Sequence, residues 1–348
     1  MRRFAKTVAV LLAVLLVVAA CGKKDVSDVV KDLEETVSKL NSYQSSGKMV
    51  LLTGNEPQEY AVEVWYLQPH YYRISLTNQK KDITQIVLKN DDGVFVLTPS
   101  LNKSFRFQSN WPTEQGQIYL YQTLVQSIIK DEQRSFVEDS EQDAFVFDVA
   151  ADYQNASFSR QKIWLEKDNY APRKVEITDS NSNVLIVLEF DKFEFNHNFS
   201  ADDFDMQRNM TSWNLQTLPA MSEEEAESDV AEQVPTGPFG VIEPTYLPEG
   251  VQKISVEDIE WGEGTAVMLR YGGEYTFTLL ETRPQEQSVT ADWGEVVDLG
   301  YTIAVLTGEN QKTLRWVSDG VEFRLISGDL PLEEMIEVAK SVYGQIGK

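Results

Sequence analysis

Hydrophobic side chains recur at every second position along much of this chain, and that period limits the possible folds more than any other feature. Between Gly47 and Phe107 the alternation marks six short runs, at 49–52, 60–67, 71–76, 84–89, 94–98 and 104–107. Successive side chains of a strand point to opposite faces, so a period of two describes strands with one face in a core. Turn chemistry separates the runs: Gly54-Asn55, Gln68-Pro69, Asn78-Gln79, Asp91-Asp92-Gly93 and Pro99-Ser100. Links this short suit antiparallel neighbours, because a parallel pair needs a crossover of about a dozen residues or more.

Helical spacing interrupts the pattern three times. Residues 25–41 place Val26, Val29, Val30, Leu33, Val37 and Leu40 on one stripe, with Asp25 able to cap the start. Trp111-Pro112 breaks the strands, and 117–130 reads as a second helix with Tyr121, Leu124, Val125, Ile128 and Ile129 on one side. Strands resume at 144–150, 156–166, 172–178, 184–190 and 192–196. Residues 219–238 carry Glu223, Glu224, Glu225, Glu227, Asp229 and Glu232 without a basic residue, as expected of an extended acidic linker or a short acidic helix. Beyond it, strands are expected at 265–271, 274–281, 295–299, 301–307, 313–318 and 321–327, then a closing helix at 332–343 with Pro331 in its first turn. The expected divisions are 1–20, 21–218, 219–238 and 239–348.

The first segment is an address. Arg2, Arg3 and Lys6 precede a dozen apolar residues, too few to cross a bilayer core of ~30 Å as a helix. The segment ends Val18-Ala19-Ala20-Cys21-Gly22, and Cys21 is the only cysteine of the 348 residues. Small residues before that cysteine resemble a bacterial lipobox. The resemblance implies a lipoprotein signal peptide over 1–20, fatty acylation (palmitate or a similar chain) of Cys21, and a membrane anchor on the extracytoplasmic face. An ordinary secretion signal with a chance cysteine is the alternative. Cleavage before Cys21 leaves 28 basic against 55 acidic groups, a net charge of −27.

Composition removes several functions. A net charge of −24, with no basic cluster beyond the first residues, argues against a nucleic-acid partner. Two histidines, His70 and His197, give little material for a metal site or a Ser–His–Asp triad, and one cysteine excludes an intramolecular disulfide. No G-x-S-x-G, P-loop, H-E-x-x-H or G-x-G-x-x-G opening a helix is present. The expectation is a protein that is not an enzyme, with no catalytic residue, no cofactor and no metal.

Residues 26–206 resemble the LolA/LolB lipoprotein-carrier superfamily and its RseB/MucB relatives. The resemblance rests on order: an amphipathic helix, Val64-Trp65-Tyr66-Leu67-Gln68-Pro69 with Tyr71-Tyr72-Arg73, a hairpin at Asp92-Gly93, a helix, Pro172-Arg173-Lys174-Val175, and the Phe190–Asn196 run ahead of Phe204. Within that superfamily the chain looks like the two-domain sporulation-type lipoproteins of endospore-forming Gram-positive bacteria. Residues 244–343 resemble a domain of unknown function found in them, through Tyr246-Leu-Pro-Glu-Gly250, Leu314-Arg315-Trp316 and the closing helix.

The resemblance implies an α+β fold: a curved antiparallel half-barrel sheet under a helical lid, followed by a smaller α+β C-terminal domain. It implies a concave apolar sheet able to shelter an acyl chain, a lipid or a lipidated protein. Trp65, Tyr66, Tyr72, Phe95, Phe105 and Phe107 are its candidate lining, and Gln68 and Arg73 are candidate contacts to a lid or head group. Each buried methylene contributes about 0.8 kcal/mol. Gln68 stands where carriers of the Gram-negative type place an arginine, and a tethered protein in a cell without an outer membrane has no shuttle route. The alternative is a protein-interaction module whose hollow is filled by its own side chains and which regulates an envelope protein, as RseB-like sensors do.

Other residues admit two readings each. His70 is a surface residue or a pH sensor. Asp202, Asp203 and Asp205 cap a turn or bind calcium, without the glycine and distal glutamate of an EF-hand loop. Trp293 and Trp316 belong to a core or to an interaction surface.

Overall fold

The computed structural model describes residues 24–52, 57–80, 82–109, 111–112, 117–153, 157–217, 240–261, 264–283, 288–299, 302–318 and 320–342. The side chains of Phe107, 212–217 and 288–293 are not among them. The segment ending at Cys21, where a lipobox is expected, and the acidic segment 219–238 therefore lie outside the described residues.

Helix α1 (Val26–Ser38) belongs to a unit ending at Lys39, and the chain from Leu40 onward forms another. Asp25 caps α1 by accepting from Asp28 N at 2.9 Å, which satisfies a donor the first turn cannot use. Val29, Val30 and Leu33 of its apolar stripe are buried.

From Leu40 the chain builds a large curved antiparallel sheet. Its strands are β1 (Ser42–Leu51), β2 (Gln58–Leu67), β3 (Tyr71–Asn78), β4 (Ile83–Asn90), β5 (Gly93–Thr98), β6 (Lys103–Gln108), β7 (Ser135–Asp139), β8 (Ala144–Ala150), β9 (Arg160–Glu166), β10 (Pro172–Thr178) and β11 (Val184–Phe195). Pairing runs from β6 down through β1, then crosses to β11 and on through β10, β9 and β8 to β7. Helix α2 (Tyr121–Lys130) buries Tyr121, Leu124, Val125 and Ile128, the stripe its spacing predicts.

Two runs expected as separate strands, 184–190 and 192–196, are one strand. A bulge carries it through: Gly47 pairs with Phe190 and Ser46 with Lys192, so Asp191 is the extra residue. Gly47 is needed there, since a Cβ would lie 2.2 Å from the Glu189 carbonyl oxygen.

After β11 the chain forms a short 3-10 turn (Ala201–Phe204) and helix α3 (Met206–Thr217), which the sequence reading does not anticipate. Polar residues outnumber apolar ones in α3, so its apolar period is faint. Ser200 and Asp203 form a reciprocal capping box at the turn, and Asp205 accepts from Arg208 N at 2.7 Å. These carboxylates cap the turn, as one of the two sequence readings has it.

The second sheet comprises β12 (Gln252–Trp261), β13 (Gly264–Gly272), β14 (Phe277–Thr282), β15 (Ser288–Asp298), β16 (Ile303–Thr307), β17 (Lys312–Ser318) and β18 (Val321–Ser327), followed by helix α4 (Leu332–Ser341). Its order is β12-β13-β14-β18-β17-β16-β15, antiparallel throughout. Strand β12 is absent from the sequence reading because Glu257, Asp258 and Glu260 obscure its alternation. It is an edge strand, paired among the described residues with β13 alone. Trp316 stacks on Phe323 at 5.2 Å and is buried, which places it in the core of this sheet.

Strand β15 joins the two sheets. Its first half pairs in parallel with β6, Ser288 opposite Ser104 and Val289 opposite Phe105, while its second half pairs antiparallel with β16. It is the sole parallel pairing among the described residues.

Candidate functional site

Cross-strand register divides the predicted lining between two faces of the first sheet. Trp65 lies opposite Arg73, Arg73 opposite Leu88, and Leu88 opposite Phe95. Tyr66 lies opposite Tyr72, Tyr72 opposite Lys89, and Lys89 opposite Val94, whose other partner is Phe107. Phe105 is two residues from Phe107 and so shares its face of β6. The six aromatics expected together therefore form two groups: Trp65 and Phe95 on one side, Tyr66, Tyr72 and Phe105 on the other. Adjacent residues of a strand, such as Trp65 and Tyr66, cannot line one hollow. Phe107 belongs with the second group by register, and its side chain lies outside the described residues.

The Trp65 face is covered by the segment that follows β11. Trp65 stacks on Phe199 at 5.2 Å and meets Phe204 edge-on at 6.5 Å. Leu88, Phe95 and Leu97 pack with Phe204 and Met210 in the same cluster. Arg73 lies 4.2 Å over the Trp65 ring, donates from Nη1 to Glu63 at 2.6 Å, and donates from Nε to Asn209 of α3 at 2.6 Å. A cation over an indole face and two hydrogen bonds fix this side chain in place. Gln68 acts through its backbone, donating to Asn41 O at 2.7 Å. His70 sits at the surface, where its Nε2 is 2.8 Å from Asp91 Oδ1.

The Tyr66 face is filled from two directions. Helix α2 brings Tyr121 against Tyr43, Phe193 and Phe195 at 6.3, 5.4 and 5.3 Å. The Tyr43 hydroxyl accepts from Tyr121 N at 3.3 Å and donates to Gln122 Oε1 at 3.2 Å. Both tyrosines are 0% exposed, and burial pushes their hydroxyl pKa values up. Trp111 packs edge-on against Tyr72 at 5.8 Å, and Lys89 Nζ donates to the Trp111 carbonyl.

At the β4–β6 end the second sheet closes the same face. The Arg315 guanidinium lies 5.2 Å over the Phe105 ring, and Phe105 is 7% exposed. Gln85 Oε1 accepts from the Thr302 hydroxyl at 2.7 Å and from Ile303 N at 3.0 Å. Lys103 makes a buried ion pair with Glu322. No short motif signals these contacts, which join residues more than two hundred positions apart.

The chain matches the family described as sporulation protein YdcC-like over residues 1–204, and a domain of unknown function, DUF4367, over 241–342. It is 40% identical over 343 residues to the sporulation protein YdcC of Bacillus subtilis (strain 168), covering 97% of this chain and 96% of that protein. The chain belongs to the YdcC-like sporulation protein family. Among solved structures, the Pseudomonas aeruginosa MucA/MucB complex aligns at 16% identity over 90% of this chain and 97% of that one, with a TM-score of 0.32. The LolA superfamily protein NE2245 of Nitrosomonas europaea aligns at 12% identity over 51% of this chain and 98% of that one, with a TM-score of 0.30. This YdcC-like chain has, among its described residues, no helix long and apolar enough to cross a membrane and no group of three or more side chains suited to hold a metal.

Proposed function

We propose that the chain is a sporulation-associated envelope lipoprotein, held on the extracytoplasmic face of the membrane by lipid on Cys21, that works by binding a protein partner. The filled Tyr66 face carries this reading. Tyr43 and Tyr121 occupy its centre, and Arg315 of the second sheet sits on Phe105 at its end. An acyl chain entering there displaces packed aromatic side chains, whose dispersion contacts it must then replace. A partner instead meets surfaces already formed, such as edge strand β12, where Ile254 is 67% exposed. The name of the Bacillus subtilis relative supports the sporulation context.

Binding of an acyl chain or a lipidated protein is the second reading. One observation favours it: Ser45 Oγ and the Tyr121 hydroxyl are buried without hydrogen-bond partners in the aromatic layer, where a ligand carbonyl or hydroxyl would satisfy them.

Native mass spectrometry of the Cys21→Ser chain, with lipid extraction of the same sample, separates the two. The partner reading expects an unliganded mass and no uptake of added fatty acid or lipopeptide. A bound lipid that disappears in Phe105→Glu, while the variant stays folded, overturns it in favour of the acyl ligand. Trp65→Glu is the control, because Trp65 occupies the other face.

A further inference from the structure

Three cations and one carboxylate meet where the two sheets join. Lys103 Nζ is paired with Glu322 Oε2. Glu322 Oε1 accepts from Arg324 Nε at 2.9 Å and lies 3.3 Å from Arg315 Nε. Lys103 and Glu322 are each 2% exposed, so their charges are largely removed from water. Among the described residues, one carboxylate against three cations leaves two positive charges uncompensated. Arg315 and Arg324 also stand directly opposite each other on β17 and β18, a pairing of like charges that costs stability and that Glu322 Oε1 meets with one negative charge for the two.

Glu322 does not exhaust these arginines. Each turns its Nε toward the carboxylate, and among the described residues no acceptor takes the Nη1 or Nη2 hydrogens of either. Their side chains are 18% and 19% exposed, partly open to solvent. An aromatic ring backs each guanidinium, Phe105 at 5.2 Å behind Arg315 and Trp261 at 5.5 Å behind Arg324, which limits how each plane can turn.

We propose that this junction binds a phosphate group through the free Nη atoms of Arg315 and Arg324. The guanidinium fork matches the spacing of phosphate oxygens. A phosphate monoester carries about −1.5 to −2 charges at neutral pH, close to the surplus at the junction. Burial, with the neighbouring arginines as second cause, pushes Lys103 down to about 7. Burial and then Arg324 push Arg315 down to about 10. Both directions are those of cations taken out of water beside like charge. The net charge of −24 opposes an approaching anion, but screening over about 8 Å at physiological salt leaves the contact to the local groups. A free phosphate or phosphate monoester carries that charge, and the diester of a phospholipid headgroup offers the same oxygens to the guanidinium fork with a single negative charge.

Isothermal titration of the full chain in a non-ionic detergent, at constant ionic strength, tests the site. One arm adds inorganic phosphate and the other glycerophosphoglycerol, a phospholipid headgroup without its acyl chains. Saturable binding of either at one site per chain is expected, and the arm that binds identifies the source. Arg324→Gln weakens it by roughly tenfold or more, the effect of losing a charge-assisted contact. Arg208→Gln, which alters a surface pair with Asp203, leaves it unchanged. Arg315→Lys keeps the charge near Glu322 but lacks the fork, and serves if Arg324→Gln does not fold. Absence of saturable binding in both arms overturns the proposal, as does undiminished affinity in a folded Arg324→Gln or Arg315→Lys.

Discussion

Arg73 and Asn209, separated by 136 positions in the chain, are joined by a hydrogen bond of 2.6 Å from Nε to Oδ1. Through it β3 holds α3, with the Trp65 ring lying beneath the guanidinium. Asn209 in turn donates from Nδ2 to the carbonyls of Asp203 and Asp205, so one side chain ties the sheet, the 3-10 turn and the helix together.

Replacing Arg73 by alanine releases this tie. A half-buried charge-assisted hydrogen bond contributes about 1.5–3 kcal/mol, and Arg73→Ala is expected to lose about that much stability. Hydrogen exchange resolves where the loss falls: amides at 199–210 exchange faster, while those of α2 keep their protection. Equal acceleration in both segments contradicts the assignment of Arg73 to α3.

Gln85→Leu removes the acceptor that binds the second sheet to β4. Thr302 keeps a second acceptor in the Val317 carbonyl at 2.8 Å, but Ile303 N loses its contact to Gln85. Leaving one buried donor unpaired costs about 1–3 kcal/mol. Urea unfolding followed by tryptophan fluorescence measures this, and an unchanged midpoint would mean that Gln85 does not couple the sheets.

Substitutions at the charged junction are expected to be asymmetric. Lys103→Met leaves Glu322 with both arginines, whereas Glu322→Gln strands three cations without a carboxylate. Removing one partner of a buried pair costs about 3–5 kcal/mol when it leaves charge uncompensated. Glu322→Gln is therefore the more destabilising of the two in a thermal melt, and the reverse order contradicts the charge count.

Glu281, on β14, is 0% exposed; its Oε2 accepts from Ile242 N at 3.1 Å and its Oε1 has no partner. Burial, reinforced by the Glu243 charge, raises its pKa from 4.5 to about 8. A raised folded-state value means the folded protein holds the proton more tightly than the unfolded chain. The stability this group contributes is complete below pH 4.5 and is lost as pH rises toward about 8. The slope is at most about 1.4 kcal/mol per pH unit. Glu281→Gln, neutral at every pH, is expected to gain stability over the native chain at pH 8 and not at pH 4.5. An equal difference at the two pH values refutes the shift.

Period-two alternation found most strands of the first sheet; burial alternates along β2, β9 and β10, where the pattern is sharpest, while β4 and β5 are buried on both faces and were marked by the turns around them. Strands β7 and β12 escaped it as edge strands: β7 is half-exposed to exposed along its length, and β12 carries acids among its apolar residues. Helix α3 escaped it because polar residues outnumber apolar ones along it, although Met206 and Met210 meet the apolar cluster and Asn209 holds Arg73. For the candidate lining, the aromatic residues were legible but their grouping was not. Trp65 and Tyr66 are neighbours in sequence and opposites in space, and only the register with β3 assigns each to its face.

What the sequence by itself determined is local: caps such as Asp25, the stripe of α2, turns between strands, and the family to which their order belongs. These depend on contacts within a few residues, so composition and spacing suffice to specify them. What only the tertiary structure decided is which faces are filled and by what. Arg315 on Phe105, Gln85 at Thr302 and Lys103 at Glu322 bring together residues more than two hundred positions apart. Such pairs leave no period in the chain, because packing between sheets depends on where strands end up rather than on which residues are neighbours in sequence.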